Sequence, residues 1–170
     1  MKGICSLCHE EYDLTGYDFE EVDPKDYVCG GCNCDANRWQ YKPWNFTLKL
    51  YFDGGCRPNP GKMVICSVLD RGLDFVENRM HIGFGTNNIA EYRALIYGLE
   101  DALARGYKRI DVKGDSLLVI SQMQGKWKVK DEDLIPLYIK AKDLCKQAIV
   151  FFEWIPRDKN FAGKVLESYE

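Results

Sequence analysis

The sequence predicts an α/β protein in which a mixed sheet is flanked by helices and preceded by a small cysteine-rich unit. Three observations predict this. The 170 residues are 46% hydrophobic and 29% charged, which is typical of a globular chain with one full-sized domain and a small appendage. Beyond residue 40, apolar residues alternate first with the period of strands and then with that of helices. Five of the eight cysteines fall within the first 34 residues.

The charge divides at the same place as the cysteines. Residues 1–38 hold nine acidic and three basic side chains, whereas residues 39–170 hold seventeen and twenty, so the net charge of −3 averages two unlike segments. Between them, Trp39–Trp44 contains a proline and two tryptophans and is typical of a connector. We therefore expect two domains, a cysteine-rich one at residues 1–40 and a larger one at residues 41–170.

The larger domain begins with three predicted strands. Phe46–Asp53 alternates apolar and polar residues, Met63–Leu69 is its predicted hairpin partner, and a third strand lies within Leu73–Ile82. Asp53 is predicted to close the first strand and to lead into a tight polar turn, Gly54–Gly61.

Helices and strands alternate after the hairpins. A helical apolar face begins at Asn88 and ends at Arg105-Gly106. The remaining predicted elements are a strand at Arg109–Lys113, helices at Ser116–Met123 and Leu134–Gln147, a strand at Ile149–Ile155 and a short helix from about Asn160. Antiparallel strands followed by strands joined through helices predict a mixed sheet with helices on its faces.

Neither a membrane span nor secretion is supported by the sequence. The chain lacks a run of about eighteen or more apolar residues. Its first residues, MKGICSLCHEEYDL, lack the basic and apolar regions of a signal peptide. We therefore expect a cytoplasmic or other intracellular, reducing compartment, in which clustered cysteines bind metal more often than they form disulfides.

The N-terminal cysteines have the spacing of a zinc ribbon. Two CxxC pairs, Cys5 with Cys8 and Cys29 with Cys32, are separated by twenty residues, close to the spacing that places four thiolates around Zn²⁺. Cys34 or His9 could replace one of these ligands. A redox CxxC pair is the alternative, but that motif does not normally occur in duplicate. So short a unit buries little apolar surface, and a structural zinc would supply much of its folding energy.

The role of the zinc unit is a separate question. Zinc ribbons often contact nucleic acid, but this one is acidic, and a phosphate backbone would be repelled by most of it. A stabilising role or a protein partner is therefore at least as well supported. Any nucleic-acid contact would have to use a minority patch, composed of Arg38, Trp39, Tyr41 and Lys42.

Three acidic residues stand at the ends of predicted elements in the larger domain. Asp53 ends the first strand, Glu91 lies in the first turn of the first helix, and Asp115 follows the strand at Arg109–Lys113. Any one of them alone could be a helix cap or a solvated turn residue. Together they stand where the active-site groups of mixed sheets gather.

At these residues the sequence resembles the type 1 ribonuclease H family. The resemblance covers residues 46 to about 168, and four motifs carry it in family order: Tyr51–Gly61, Thr86–Leu95, Val112–Ser116 and Trp154–Asn160. It implies a ribonuclease H-like five-stranded sheet and cleavage of the RNA strand of RNA–DNA hybrids with two Mg²⁺ or Mn²⁺ ions. It further implies that Asp53 bridges both ions, while Glu91 and Asp115 hold one of them and orient the attacking water.

The resemblance also implies which residues contact the hybrid. These substrate-binding candidates are Asn59 in the turn and Thr86, Asn87 and Asn88 before the helical glutamate. Amide side chains can donate to or accept from a 2′-hydroxyl or a base edge, although Asn88 could instead cap the helix. The basic loop at Lys126, Trp127 and Lys128 could line the DNA strand or be simply solvated.

One position departs from the family pattern. The family has a fourth acid in a motif of the form Arg-x-x-Asn-x-x-Ala-Asp-x-Leu, but here Gly163 and Lys164 replace its Ala and Asp. A protonated lysine cannot ligate a cation and would repel one nearby. Glu167, one helical turn later, or Asp158 could substitute for the acid, and Lys164 itself could neutralise charge in place of an ion.

Three functional hypotheses follow. The first is a metal-dependent endoribonuclease acting on RNA–DNA hybrids. The second is a ribonuclease H-like nucleic-acid-binding module whose cleavage is weakened by Lys164. The third is another nuclease or strand-transfer activity of the wider fold class, against which the Thr86–Glu91 motif argues.

Overall fold

The computed structural model describes residues 2–4, 11–13, 47–72 and 74–168, the first two ranges in their backbone only. The chain divides into two units, Met1–Phe46 and Thr47–Glu170. The domain boundary predicted at residue 40 lies outside the described residues and stays a prediction.

In the first unit, β1 (Lys2–Ile4) and β2 (Glu11–Asp13) pair antiparallel, with Lys2 opposite Asp13. The predicted zinc ligands and their alternatives lie outside the described residues: Cys5, Cys8, Cys29, Cys32, Cys34 and His9. The zinc site therefore stays a prediction.

The second unit is built on a mixed sheet. Its strands are β3 (Thr47–Cys56), β4 (Gly61–Asp70), β5 (Phe75–Gly85), β6 (Arg109–Gly114) and β7 (Ile149–Trp154). They form a five-stranded sheet in the order β5-β4-β3-β6-β7. The β3, β4 and β5 strands pair antiparallel, whereas β6 pairs parallel with both β3 and β7. The α/β fold class and the mixed sheet predicted from the sequence are thus confirmed.

Helices cover both faces of this sheet. They are α1 (Asn87–Ala104), α2 (Leu117–Met123), α3 (Ile135–Cys145) and α4 (Phe161–Glu167), with a 3-10 turn at Arg157–Lys159 before α4. Side chains of β3 alternate between the faces: Leu50 and Phe52 pack into the core with α1, α2 and α3, while Tyr51 packs with α4. None of the described helices has the length and apolar character needed to cross a bilayer.

The central strand is longer than its sequence pattern indicated. We predicted that β3 ends at Asp53, but Gly54, Gly55 and Cys56 continue the antiparallel ladder with β4, and the turn begins only at Arg57. Asp53 therefore lies inside a paired strand and is 2% exposed. A paired strand backbone positions a side chain more rigidly than a turn does.

The start of α1 also differs in detail. Thr86, not Asn88, caps the helix, because the Thr86 side chain accepts a hydrogen bond from the Ile89 backbone N–H at 3.4 Å. With the helix beginning at Asn87, Glu91 lies in its second turn and not in its first. The side chain of Asn88 is exposed and takes no part in this cap.

Candidate active site

Three carboxylates converge where β3, α1 and β6 meet. One oxygen each of Asp53, Glu91 and Asp115 lies within 4.8 Å of the others. Asp53 and Asp115 come together because β3 and β6 are parallel neighbours, and Glu91 reaches them from α1, which packs against β3. The structure therefore brings together all three acids that the sequence singled out.

Burial and crowding shape the electrostatics of this cluster. Burial raises the pKa of Asp53, the Arg157 guanidinium opposes that shift, and Asp115 adds to it. Burial also raises the pKa of Glu91 well above its usual value, and the charges of Asp53 and Asp115 raise it further. One oxygen of Glu91, Oε2, is buried without a hydrogen-bond partner. Holding the three carboxylates close together therefore lowers the stability of the folded protein.

The donor set fits a hard divalent cation. Mg²⁺ and Mn²⁺ prefer carboxylate oxygens, and a few such ligands suffice because the ion retains water. An ion at the cluster would offset the repulsion among the three carboxylates and give the unpartnered Glu91 oxygen a ligand. The residues present thus match the metals implied by the resemblance.

Asp115 is held by two side chains for which no role was predicted from the sequence, Asn160 and Trp154. The fully buried Asn160 amide donates to the Asp115 carboxylate and to the Phe52 carbonyl, the latter at 2.9 Å. The Asn160 side-chain oxygen accepts from the Ala162 N–H at 3.1 Å and so caps α4. Trp154 donates its indole N–H to the Asp115 carbonyl at 3.0 Å. Both residues belong to the motif Trp154–Asn160, and Asn160 is also the Asn of the family motif that carries the fourth acid.

A guanidinium also contacts the cluster. Arg157 Nη1 lies 2.9 Å from Asp53 Oδ2 and 3.1 Å from Asp115 Oδ2. Its Nε lies 3.1 Å from Glu167 Oε1. Burial lowers the pKa of Arg157, but the nearby carboxylates outweigh this effect and raise it, so the side chain stays charged. Arg157 lies in the motif Trp154–Asn160, but no function was predicted for it from the sequence.

The candidates for a fourth acidic site lie apart from the three carboxylates. Lys164 Nζ lies 5.4 Å from the centroid of the Phe161 ring. Glu167 pairs with Arg157. Neither Glu167 nor Asp158 belongs to the carboxylate group found among the described residues. The cation that contacts the carboxylates is therefore Arg157 and not Lys164, the one for which charge neutralisation was predicted.

The predicted substrate-contacting amides adjoin one another at the turn after β3. The Asn87 side-chain oxygen accepts from the Cys56 backbone N–H at 2.9 Å and lies 3.2 Å from the Cys56 thiol. The Asn59 side-chain oxygen accepts from the Asn87 backbone N–H at 3.3 Å. The Asn87 side chain is exposed, and its oxygen is engaged by Cys56. Cys56 was not among the predicted site residues, although it lies in the Tyr51–Gly61 motif.

The basic loop lies away from these groups. Lys126, Trp127 and Lys128 are exposed and follow the C-terminal end of α2, whereas Asp115 precedes its N-terminal end. The seven residues of α2 span roughly 10 Å. The structure therefore does not bring this loop to the carboxylates.

Comparisons with known proteins place these features in a family context. Residues 51–166 match the reverse transcriptase-like family. The bifunctional protein Rv2228c of Mycobacterium tuberculosis is 45% identical over 112 residues, which are 64% of this chain and 31% of that protein. The ribonuclease HI of Halobacterium salinarum is 40% identical over 120 residues, covering 66% of this chain and 58% of that protein. The chain thus spans about a third to somewhat over half of these relatives' lengths.

Two solved structures of ribonucleases H are also similar to this chain. The N-terminal RNase H domain of Rv2228c has a TM-score of 0.67 and 40% identity, covering 71% of this chain and 95% of that chain. LC11-RNase H1, solved in complex with an RNA/DNA hybrid, has a TM-score of 0.66 and 35% identity, covering 71% and 93%.

The raised pKa of Glu91 predicts that its charge destabilises the protein when no divalent ion is present. The ionised Glu91 carboxylate lowers the free energy of unfolding. This loss of stability begins as the pH rises above the unfolded-state pKa of about 4.3 and is complete above the folded-state pKa. We therefore expect Glu91→Gln to raise the Tm at neutral pH by several degrees, and this gain to fade as the pH falls to about 4.

Circular dichroism melts in a chelator would measure this. Glu100→Gln is the matched control, because Glu100 lies in the same helix but is exposed and paired with Lys140 at 2.7 Å; its Tm should change little. A Glu91→Gln variant that melts at or below the wild-type temperature at neutral pH would contradict the expected penalty.

Proposed function

The chain belongs to the ribonuclease H-like family, and from that premise we propose that it is a metal-dependent endoribonuclease that hydrolyses the RNA strand of RNA–DNA hybrids. The observation that carries this proposal is the cluster of three carboxylates within 4.8 Å, set beside the exposed amides of Asn59 and Asn87. A relative crystallised with an RNA/DNA hybrid supports the choice of substrate.

In the proposed mechanism the chain positions the reacting groups. Mg²⁺ or Mn²⁺ at the cluster would make a bound water more acidic and stabilise the leaving oxygen, for which the resemblance implies two ions. Asp53 would hold both ions, and Glu91 and Asp115 would hold one of them and orient the attacking water. Asn160 would fix the rotation of the Asp115 carboxylate through their hydrogen bond.

Recognition of the hybrid is proposed to use the polar rim next to the carboxylates. The exposed amides of Asn59, Asn87 and Asn88 suit 2′-hydroxyls and base edges, which distinguish an RNA strand from DNA. Thr86 would act mainly through its cap of α1. The exposed loop at Lys126, Trp127 and Lys128 could contact the DNA strand of a long hybrid at the other end of α2.

For the first unit we propose a structural zinc ion held by Cys5, Cys8, Cys29 and Cys32. The antiparallel pairing of β1 with β2 supports this, because the chain that joins the two strands carries the first CxxC pair. The acidic charge of residues 1–38 favours a stabilising role or a protein partner over contact with phosphate.

Cleavage of a labelled RNA–DNA hybrid tests the enzymatic proposal, with matched DNA and RNA duplexes as controls, in Mg²⁺ and in Mn²⁺. We expect cleavage of the hybrid only, and a loss of at least about 100-fold in Asp53→Asn because a metal ligand is removed. Asp143→Asn, which removes an exposed carboxylate on α3, should cleave normally.

Two other outcomes of the cleavage assay would favour a different function. Binding of the hybrid without cleavage in either metal would overturn the proposal and favour a binding module. The carboxylate group of the described residues, which has three members and not four, is consistent with such a module. Equal cutting of duplex DNA would favour the broader nuclease or strand-transfer class.

The Cys56 thiol is predicted to act on the substrate through Asn87. Cys56 Sγ lies 3.2 Å from both the Asn87 side-chain oxygen and the Gly85 carbonyl oxygen, and the Cys56 backbone N–H still holds Asn87 in Cys56→Ala. The KM for the hybrid should therefore rise by at most about fivefold, the equivalent of one hydrogen bond of about 1 kcal/mol, with little change in kcat. Cys56→Ser keeps a donor and should retain most of the wild-type KM.

The double variant tests whether the effect passes through Asn87. In an Asn87→Ala background, Cys56→Ala should have no further effect on KM. Additive effects of the two substitutions on KM would show that the thiol does not work by orienting this amide.

The zinc proposal predicts about one zinc ion per chain by elemental analysis. Cys29→Ser should release that zinc while the thermal transition of the second unit stays in place, because the larger core lies within Thr47–Glu170. The zinc site would be ruled out if the wild-type protein contained no zinc as purified and still bound none after refolding in the presence of zinc.

A further inference from the structure

Phe84 is the most exposed large apolar side chain among the described residues, with 72% of its surface accessible. It is the last residue but one of β5, and only Gly85 separates it from Thr86, where a run of predicted substrate contacts begins. A single exposed phenylalanine is common on protein surfaces. Phe84 differs in two respects, the backbone that turns it outward and the groups that lie beside it.

A β-bulge turns Phe84 away from the core. Met63 of β4 pairs with Ile82 of β5, and both pack in the core. The preceding residue, Lys62, pairs with Phe84, so Gly83 is an extra residue in β5. Unbroken alternation would place Phe84 on the same side as Ile82, and the extra residue moves it to the other side. Gly83 has a φ of 26°, which residues with a side chain rarely adopt.

Phe84 therefore lies on the face of the sheet that carries the carboxylate cluster. The next residue, Gly85, faces the opposite way, because a Cβ atom on it would lie 2.8 Å from Met63 Sδ in the core. Asp53 faces α4, since its Oδ2 lies 3.3 Å from the position of a Cβ atom on Gly163. The phenyl ring and the Asp53 carboxylate thus share the face that α4 packs against.

The distance along the strands from the cluster to Phe84 is short on the scale of a nucleic acid. Asp53 pairs with Cys66 of β4, and Lys62 lies four residues from Cys66 towards the β3–β4 turn. Four residues of a strand span roughly 13 Å, or about four nucleotide steps of roughly 3.4 Å. A nucleic-acid strand that is cut at the cluster can therefore also reach Lys62 and Phe84.

The charges along this path suit a phosphate backbone. From the level of the cluster to their shared end, β4 and β5 consist of residues 61–66 and 79–85. These two ranges contain two cations, Lys62 and Arg79, and no acidic residue. Lys62 is exposed and is the cross-strand partner of Phe84. An aromatic ring beside a cation suits a nucleic-acid strand, which offers apolar sugar and base faces next to phosphates.

We propose that Phe84 and Lys62 form a second contact for the nucleic-acid substrate, about four nucleotides from the point of cleavage. The Phe84 ring packs on a sugar or base of one strand, and the Lys62 ammonium pairs with a phosphate of the same strand. This rests on the proposed function, because the contact serves the same hybrid. It adds affinity and places the strand over the cluster without touching the reacting atoms.

Binding of a fluorescently labelled hybrid in a chelator tests the contact apart from cleavage. Phe84→Ala should raise the Kd about fivefold, whereas Phe84→Tyr, which keeps an aromatic ring, should keep the wild-type Kd. Lys62→Ala should make the slope of log Kd against log salt concentration shallower by about one, because one phosphate contact is lost. Phe151→Ala is the matched control and should bind normally, since Phe151 is 58% exposed on the opposite edge strand, β7.

Hybrids of different lengths locate the contact. A short ribonucleotide stretch within a DNA strand fixes the place of the cut, and the duplex is then shortened from each end in turn. With long flanks, Phe84→Ala should raise the KM about fivefold with little change in kcat. The difference from wild type should vanish when the flank on one particular side is shorter than about three base pairs.

Unchanged hybrid affinity in Phe84→Ala, or a loss of affinity that is the same for every flank length, would overturn the proposal. Hybrid cleavage together with either result would leave the proposed function standing. Hybrid binding that depends on Phe84 and Lys62 but leads to no cleavage would do the reverse. If Phe84→Ala bound the hybrid normally but eluted at a lower apparent mass in size-exclusion chromatography, the ring would belong to a contact between two copies of this chain, and the proposal would be wrong.

Discussion

The close contact between β3 and α1 at Gly54 is the constraint on which the carboxylate cluster depends. A Cβ atom at this position would lie 2.4 Å from the Ala90 carbonyl carbon and 2.7 Å from the Glu91 backbone nitrogen, distances that real side chains do not reach. Glycine therefore allows the second turn of α1 to rest directly on the strand. Because Asp53 precedes Gly54 and Glu91 follows Ala90, the same contact sets the separation of the two acids.

Holding these acids together opposes folding, and the surrounding core must outweigh that cost. The raised pKa values of Asp53 and Glu91 express it, because ionising either carboxyl costs more free energy in the folded protein than in the unfolded chain. The strand that carries Asp53 is the middle one of the sheet and is buried on both faces. Phe52 packs into the main core while its carbonyl accepts from Asn160, so the same strand carries both the hydrophobic burial and the site.

Patterns among neighbouring residues predicted the features of the fold that neighbouring residues determine, namely the helices and strands and their order. Strand and helix periodicity predicted the order of the elements. The predicted element ends pointed to the three acids that the structure brings within 4.8 Å, although Asp53 lies inside β3 and Glu91 in the second turn of α1. Contacts between distant residues were missed: Arg157 lies 104 residues after Asp53, and no periodicity encodes that pairing. The Gly54–Gly55 pair was misinterpreted for a related reason. Adjacent glycines signal a turn locally, but here Gly54 accommodates a helix that begins 33 residues later.

How deeply each side chain is buried explains at which positions this chain can depart from the family motif. On α4 the side of the helix formed by Ala162, Gly163 and Leu166 is buried, whereas Lys164 is exposed at the rim. Because Lys164 is exposed, its charge is not buried, and its ammonium lies 5.4 Å from the centroid of the Phe161 ring. At the position of Asp53, 2% exposed, a lysine would have to bury its ammonium inside a paired strand. The rim position can therefore change its charge at little cost in folding, and the inner carboxylates cannot.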